Sequence, residues 1–174
     1  MSTSDQPKNV IVVGGGAGGS RAAHLLSKSL DASKFKLIVI DPRPSFIILP
    51  ATVRLNVTSQ KDIDDAALVP LKDIFAKGNG TYIQGKVVTI EMVEAAGGHV
   101  VLSSGDRIQF EALLLAPGST WIGPLAFPES EDDIKKFFES NREAIKAAHD
   151  VVLVGGGAVG TGELLSYSRF QPQC

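Results

Sequence analysis

Two glycine-rich hexapeptides have the residue types and spacing needed to bind a pyrophosphate. The first occupies residues 14–19 after the apolar run 10–13, and the second occupies residues 155–160 after the apolar run 151–154. Both match G-x-G-x-x-G between a strand-like segment and a helix-like segment. The first glycine permits a tight turn, the second lets the backbone approach a pyrophosphate, and the third lets the helix pack close to its strand. The unpaired N–H groups at the helix N-terminus then face the phosphates.

Two such motifs in one chain indicate two dinucleotides, and hence an electron donor and an electron acceptor. Asp41 ends the next strand-like run, where an acid accepts hydrogen bonds from a ribose 2′-hydroxyl. Because a carboxylate would repel a 2′-phosphate, the first site is expected to take FAD or NAD rather than NADP. The alternatives are a glycine turn without a ligand and a solvated carboxylate at a strand end.

Composition excludes several other classes of function. The chain has 174 residues, 44% of them apolar, and a formal net charge of −2 without a basic stripe, which makes nucleic acid a poor candidate partner. The single cysteine is Cys174 and the three histidines are scattered, so we expect neither a disulfide nor a metal site. The polar N-terminus and the absence of an apolar stretch of about 20 residues predict a cytoplasmic protein without a transmembrane segment. Association with mitochondria stays open, and nothing indicates an oligomeric state.

The order of the elements predicts an α/β fold. Buried parallel strands are expected at residues 9–13, 35–41 and 112–116, with a helix over residues 17–30. Alternating apolar and polar residues over 82–110, with glycine turns between them, predict an antiparallel β-meander inserted before the last of these strands. Ser130 is expected to cap a helix, and residues 150–154 are expected to begin a new strand before the second hexapeptide.

From these features the chain resembles the flavoproteins of the pyridine nucleotide oxidoreductase type that bind two dinucleotides. Within that group it is similar to the apoptosis-inducing-factor-like branch, especially its fungal members. The resemblance spans roughly residues 9–160, and it is carried by residues 12–19, 49–54, 113–121 and 151–160. It implies a Rossmann-like FAD/NAD(P)-binding fold with FAD in the first unit and NAD(P)H in the second.

The domain organisation follows from the same resemblance. It implies an FAD-binding domain at residues 9–120 and the start of an NAD(P)-binding domain at residues 130–174. A disordered tail at residues 1–8 and a linker at residues 121–129 flank the first domain. We expect the second nucleotide-binding unit to be incomplete, because the sequence reaches Cys174 before a second strand of that unit.

The resemblance also implies the cofactor-binding positions. For FAD these are Gly14, Gly15, Gly16, Ala17, Gly18, Gly19, Asp41, Arg54, Val87, Ala116 and Gly118, and for the nicotinamide nucleotide they are Gly155, Gly157 and Gly160. Arg54 would be a cation over the flavin-side phosphates, or else an ordinary surface arginine. Val87 would lie along the adenine, or else belong to the core. Pro117 stands where relatives carry threonine, and it lacks an N–H donor. Trp121 either flanks the flavin or fills the hinge between the two domains.

The function that this resemblance implies is an FAD-dependent NAD(P)H oxidoreductase. Electrons would pass from nicotinamide through flavin to a quinone or another external acceptor. Residues 42–60 contain no cysteine, which excludes the redox thiol of disulfide reductases. The protein need only align the two rings, so we assign no catalytic residue.

Two alternative functions stay open. The chain could be a non-catalytic nucleotide-binding isoform or fragment, or an NAD-dependent dehydrogenase with NAD in the first site. We expect the 174-residue chain to be inactive by itself, since its second unit offers one strand, one glycine turn and at most a short helix.

Overall fold

The computed structural model describes residues 6–59, 66–93 and 97–170. It divides into two compact units. The first consists of Met1–Phe46 and Pro70–Ser119, and the second consists of Ile47–Val69 and Thr120–Cys174. Residues 1–5 of the predicted tail lie outside the described residues, whereas Lys8 of that tail begins the first strand.

The first unit is built on a parallel sheet of four strands, in the order β5 (Thr81–Gln84), β2 (Phe35–Asp41), β1 (Lys8–Val13) and β9 (Ala112–Leu115). The central strands are continuously apolar because neighbours cover both of their faces. Helix α1 (Ala17–Ser29) follows β1 and leads to β2. The strands described in the chain are β1 (Lys8–Val13), β2 (Phe35–Asp41), β3 (Ser45–Ile47), β4 (Leu68–Pro70), β5 (Thr81–Gln84), β6 (Val87–Met92), β7 (Gly98–Leu102), β8 (Arg107–Phe110) and β9 (Ala112–Leu115).

Two hydrophobic clusters share the side chains of the parallel sheet between them, because successive side chains of a strand point to opposite faces. Val12 and Val39 pack with Ala23 of α1. Ile11 and its neighbours pack with the meander; the buried members of this cluster are Ile11, Ile38, Ile40, Val100, Leu102 and Phe110. One face of the sheet is therefore covered by α1, and the other face is covered by the meander.

The predicted meander is confirmed over most of its length. Strands β6, β7 and β8 form an antiparallel three-stranded sheet. The prediction is wrong for residues 82–84, because β5 pairs in parallel with the end of β2. Strand β5 lies at the edge of the parallel sheet and is half-exposed, so its residues alternate in polarity like those of a meander strand.

The second unit is mainly helical, with α2 (Leu49–Leu55), α3 (Glu131–Ala147) and α4 (Ala158–Phe170). Its core joins Ile134 and Phe138 of α3 to Leu55 of α2, together with Ile47 and Ala67. The predicted cap of α3 is confirmed, since Ser130 Oγ accepts a hydrogen bond from the Asp133 N–H at 3.1 Å.

The predicted strand at residues 150–154 is wrong. Residues 151–156 have no regular secondary structure, and Val152 and Val154 are 82% and 96% exposed. A parallel strand needs a neighbour to accept its hydrogen bonds, and within the described ranges no strand pairs with this segment.

Helix α4 is longer than the short helix that the sequence indicated. It has 13 residues and passes through Gly162 without a break. A Cβ at Gly162 would lie 3.1 Å from Cγ1 of Val53. This glycine, which weakens the helix intrinsically, therefore also allows α4 to approach α2 closely.

Candidate functional site

The first glycine turn is held tightly between β1, β2 and β9. The Gly14 N–H donates to the Ile40 carbonyl at 2.8 Å, and the Ala116 N–H donates to the Val13 carbonyl at 2.8 Å. Gly14 has a φ of 99°, and a Cβ there would overlap the Ala116 carbonyl oxygen. A Cβ at Gly19 would overlap the Gly14 carbonyl oxygen. The fold itself therefore requires glycine at both of these positions.

Gly16 and Gly18 differ from their neighbours because the fold does not require them. Both are exposed, and a Cβ at either position would have no heavy-atom neighbour within 4 Å in the described part of the chain. Gly16 has φ −67° and ψ −168°, which any residue can adopt. An absent side chain here leaves open space in front of the first N–H groups of α1, which is what a pyrophosphate needs.

Asp41 is tied directly to this turn. Its Oδ2 accepts a hydrogen bond from the Gly15 N–H at 2.7 Å, and its Oδ1 accepts one from the Arg43 N–H at 2.8 Å. A carboxylate has about four lone-pair sites, so two remain for a ligand. The half-buried carboxylate is thus fixed in orientation beside the glycines and keeps the capacity to accept from ribose hydroxyls.

Tyr82 of β5 holds the turn that carries Asp41, and the sequence analysis missed it. Its Oη lies 2.8 Å from the Arg43 carbonyl oxygen and 3.2 Å from the Asp41 carbonyl oxygen. The Gly85 N–H also donates to the Asp41 carbonyl, at 3.0 Å. Burial, and then the charge of Asp41, raises the pKa of Tyr82 to about 12, so its hydroxyl is a proton donor at neutral pH.

Leu71 is a second residue that the sequence did not single out. Its side chain is fully buried against the glycine turn, where a Cβ at Gly15 would overlap it. Its N–H donates to the Pro44 carbonyl at 2.9 Å. The parallel pairing of β5 with the end of β2 brings Tyr82 to Asp41, and no local sequence pattern indicated that pairing.

The remaining predicted positions of the first unit differ in how far they are exposed to solvent. Ala17 is exposed as the first residue of α1, and the Ala116 backbone lies against Gly14. Val87 is half-buried and packs against the cluster around Ile11, which supports the core role. Gly118 is exposed with a φ of 73°. Their contacts with FAD stay a prediction.

Arg54 and Trp121 belong to the second unit. Arg54 is exposed on α2, and Trp121 is 53% exposed. The proposed roles of these two side chains toward a flavin also stay predictions.

The second glycine turn repeats the local geometry of the first. Gly155 has a φ of 116°, and a Cβ at Gly160 would overlap the Gly155 carbonyl oxygen. The Thr161 N–H donates to the Gly157 carbonyl at 3.0 Å, and a Cβ at Gly157 would meet nothing within 4 Å in the described part of the chain. The turn is therefore present, although the strand that should precede it is not.

Neither a metal-binding cluster nor a membrane-spanning helix is present among the described residues. Within residues 6–59, 66–93 and 97–170, no group of three or more His, Cys, Asp or Glu residues is placed to hold a metal ion. Over the same ranges, none of the helices has the length and apolar character needed to cross a membrane.

Comparison with known proteins identifies the class. The family described as pyridine nucleotide-disulphide oxidoreductase matches residues 8–171, and the chain belongs to this family. The FAD-dependent oxidoreductase FVFD30 of Flammulina velutipes is 40% identical over 104 residues, which are 60% of this chain and 32% of that protein. Apoptosis-inducing factor homolog B of Dictyostelium discoideum is 31% identical over 159 residues, which are 90% of this chain and 38% of that protein.

These matches confirm the predicted resemblance to the apoptosis-inducing-factor-like branch. The chain spans 32% and 38% of the length of these two relatives. The sulfide:quinone oxidoreductase of the hyperthermophilic bacterium Aquifex aeolicus has a similar fold, with a TM-score of 0.55 and 25% identity over 80% of this chain and 33% of that one. The predicted Rossmann-like fold with its parallel sheet and antiparallel strands is confirmed.

Proposed function

We propose that the first unit binds the ADP half of FAD, as part of an NAD(P)H oxidoreductase that passes electrons through flavin to an external acceptor. The observation that carries this proposal is the open backbone at Gly16 and Gly18 beside the fixed carboxylate of Asp41. Glycines that the fold does not require are explained if a pyrophosphate approaches the backbone there.

A quinone is the acceptor that we favour. One similar protein is named as FAD-dependent, and the structurally similar protein of Aquifex aeolicus is named for a quinone. The sequence has a single cysteine, so the chain holds no cysteine pair that could carry electrons as a dithiol. Electrons would therefore pass from NAD(P)H to flavin and from flavin directly to the acceptor.

The test compares Gly16→Val with Gly157→Val by calorimetric titration with FAD. Valine at position 16 would fill the space that the pyrophosphate needs, so affinity should fall at least about tenfold, the equivalent of one lost charge-assisted hydrogen bond. Gly157 occupies the same place in the second turn and has equally open surroundings. Gly157→Val should leave FAD affinity unchanged.

Several results would contradict the proposal. An unchanged FAD affinity in a folded Gly16→Val protein would show that the site is wrong. Circular dichroism distinguishes lost binding from lost folding. Binding of NAD without FAD, seen as purified protein that takes up no flavin absorbance, would instead favour the NAD-dependent dehydrogenase.

A second candidate function is a non-catalytic nucleotide-binding protein, which the exposure of residues 151–154 favours. Hydride transfer needs the nicotinamide about 3–3.5 Å from the flavin, and the second turn has no formed strand to support a nucleotide. We therefore expect the 174-residue chain to show no NADH-dependent reduction of a quinone. Sustained turnover by this polypeptide would overturn that expectation.

We also propose that the protein is cytoplasmic and that its partners are small molecules rather than nucleic acid.

A further inference from the structure

The loop after β2 is fixed by hydrogen bonds from two directions. On the side of the glycine turn, the Gly15 and Arg43 N–H groups donate to the carboxylate of Asp41. On the side of β5, Tyr82 and Gly85 donate to main-chain carbonyls of the same loop. The Gln84 side-chain amide adds a donor to the Pro42 carbonyl at 3.1 Å.

We propose that Tyr82 is a positioning residue, and that its hydroxyl holds the Asp41 carboxylate where it distinguishes a ribose from a 2′-deoxyribose. This inference rests on the proposed function of the first site. Tyr82 acts through Asp41, because its single hydroxyl proton is donated to a main-chain carbonyl of the loop, with the Arg43 oxygen the nearer at 2.8 Å.

The geometry explains why a hydroxyl on β5 affects recognition at Asp41. Tyr82 pairs with Val39 in the parallel register, and Gln84 pairs with Asp41 itself. The phenol ring therefore reaches forward from within the sheet to the loop beyond its end. Hydrogen bonds weaken steeply when distance and angle depart from their optimum, so a carboxylate that is free to shift would lose its bond to a 2′-hydroxyl.

Tyr82→Phe tests this assignment, because it keeps the ring and removes only the hydroxyl. We would titrate the full 174-residue protein with ADP and with 2′-deoxy-ADP by calorimetry. The wild type should prefer ADP by about tenfold or more, as expected for a hydrogen bond to a charged group. In Tyr82→Phe this preference should fall by about two- to tenfold, through weaker ADP binding with unchanged 2′-deoxy-ADP binding.

Tyr167→Phe is the matched control, since Tyr167 is the other of the two tyrosines and belongs to the second unit. It should leave the preference for ADP unchanged. A second readout is the amide NMR spectrum, in which Tyr82→Phe should shift the Gly15 and Arg43 signals that report the carboxylate contacts.

The outcomes separate this inference from the proposed function. A wild type that binds neither nucleotide would overturn both. A wild type that prefers ADP, with the same preference in Tyr82→Phe, would overturn the role of Tyr82 and leave the nucleotide site standing. Equal losses for the two nucleotides in Tyr82→Phe would mean a general structural role and would also contradict the inference.

Discussion

The two glycine turns have nearly the same local geometry and very different surroundings. Each begins with a glycine of positive φ, and in each the last glycine packs against the carbonyl of the first. The apolar run before the first turn is β1, which is paired on both sides. The apolar run before the second turn is exposed and forms no strand.

This contrast separates what a motif specifies from what its neighbours specify. Six residues are enough to set the turn and start the helix, since these depend on contacts within a few positions. A strand depends on hydrogen bonds and apolar contacts with other strands, which the hexapeptide does not encode. A glycine motif is therefore evidence for a turn, and it becomes evidence for a nucleotide site only when a sheet surrounds it.

The largest expected effect comes from replacing Gly14, the first glycine of the first turn, with alanine. The same change at Gly155, the first glycine of the second turn, is the comparison. In Gly14→Ala the new Cβ would overlap the Ala116 carbonyl oxygen and keep a strained φ, so the free energy of unfolding should fall by more than about 4 kcal/mol. Gly155→Ala meets no such neighbour in the described residues and should cost only the strain of about 1–3 kcal/mol. Urea unfolding followed by circular dichroism measures both, and equal losses would erase the contrast.

The next effect compares valines of the two apolar runs. Val12 is fully buried in the sheet, whereas Val154 is 96% exposed. Val12→Ala removes two buried methyl groups and should lower the free energy of unfolding by about 2 kcal/mol. Val154→Ala should change it by less than about 0.5 kcal/mol. A comparable loss in Val154→Ala would show that residues 151–154 are packed in solution.

The last effect is absent at neutral pH and appears only at alkaline pH, in the first unit. The pKa of Tyr82 is raised from 10.0 to about 12, so the folded state keeps its proton where the unfolded state loses it. The stability that this provides is full below pH 10 and is lost as the pH rises from 10 to about 12. Ultraviolet absorbance of tyrosinate, compared between wild type and Tyr82→Phe, measures this titration, and ionisation of Tyr82 near pH 10 would contradict the partial burial of its hydroxyl beside Asp41.

Much of the first unit could be predicted from the sequence. The order of β1, α1 and β2, and the position of Asp41 at the end of β2, follow from apolar runs and a glycine turn that are close in sequence. The meander followed from alternation and from glycines between strands. The open surroundings of Gly16 agree with the prediction that a pyrophosphate approaches the backbone there, and the binding itself stays a prediction.

The misses share a physical cause, which is that pairing across the chain cannot be inferred from local pattern. An alternating segment such as β5 fits an antiparallel ribbon and a parallel edge equally well, so Tyr82 was not connected with Asp41. The run at residues 151–154 has the composition of a buried strand, but composition does not provide neighbours. The intrinsic propensity of Gly162 weakens α4, and the close approach of Val53, which local sequence does not show, explains its place there.

The contact between Gly14 and Ala116 has a consequence for synthesis of the protein on the ribosome. The glycine turn and α1 emerge early, while β9, which closes against the turn, emerges only after the meander. Contacts between segments so distant in sequence form late and slow the folding of a chain. A nascent chain whose β9 is still inside the ribosome therefore carries the glycine motif without a finished site. On the proposed function, FAD binding would wait until β9 has closed against the turn, so a lack of FAD during translation should not stall the early folding steps.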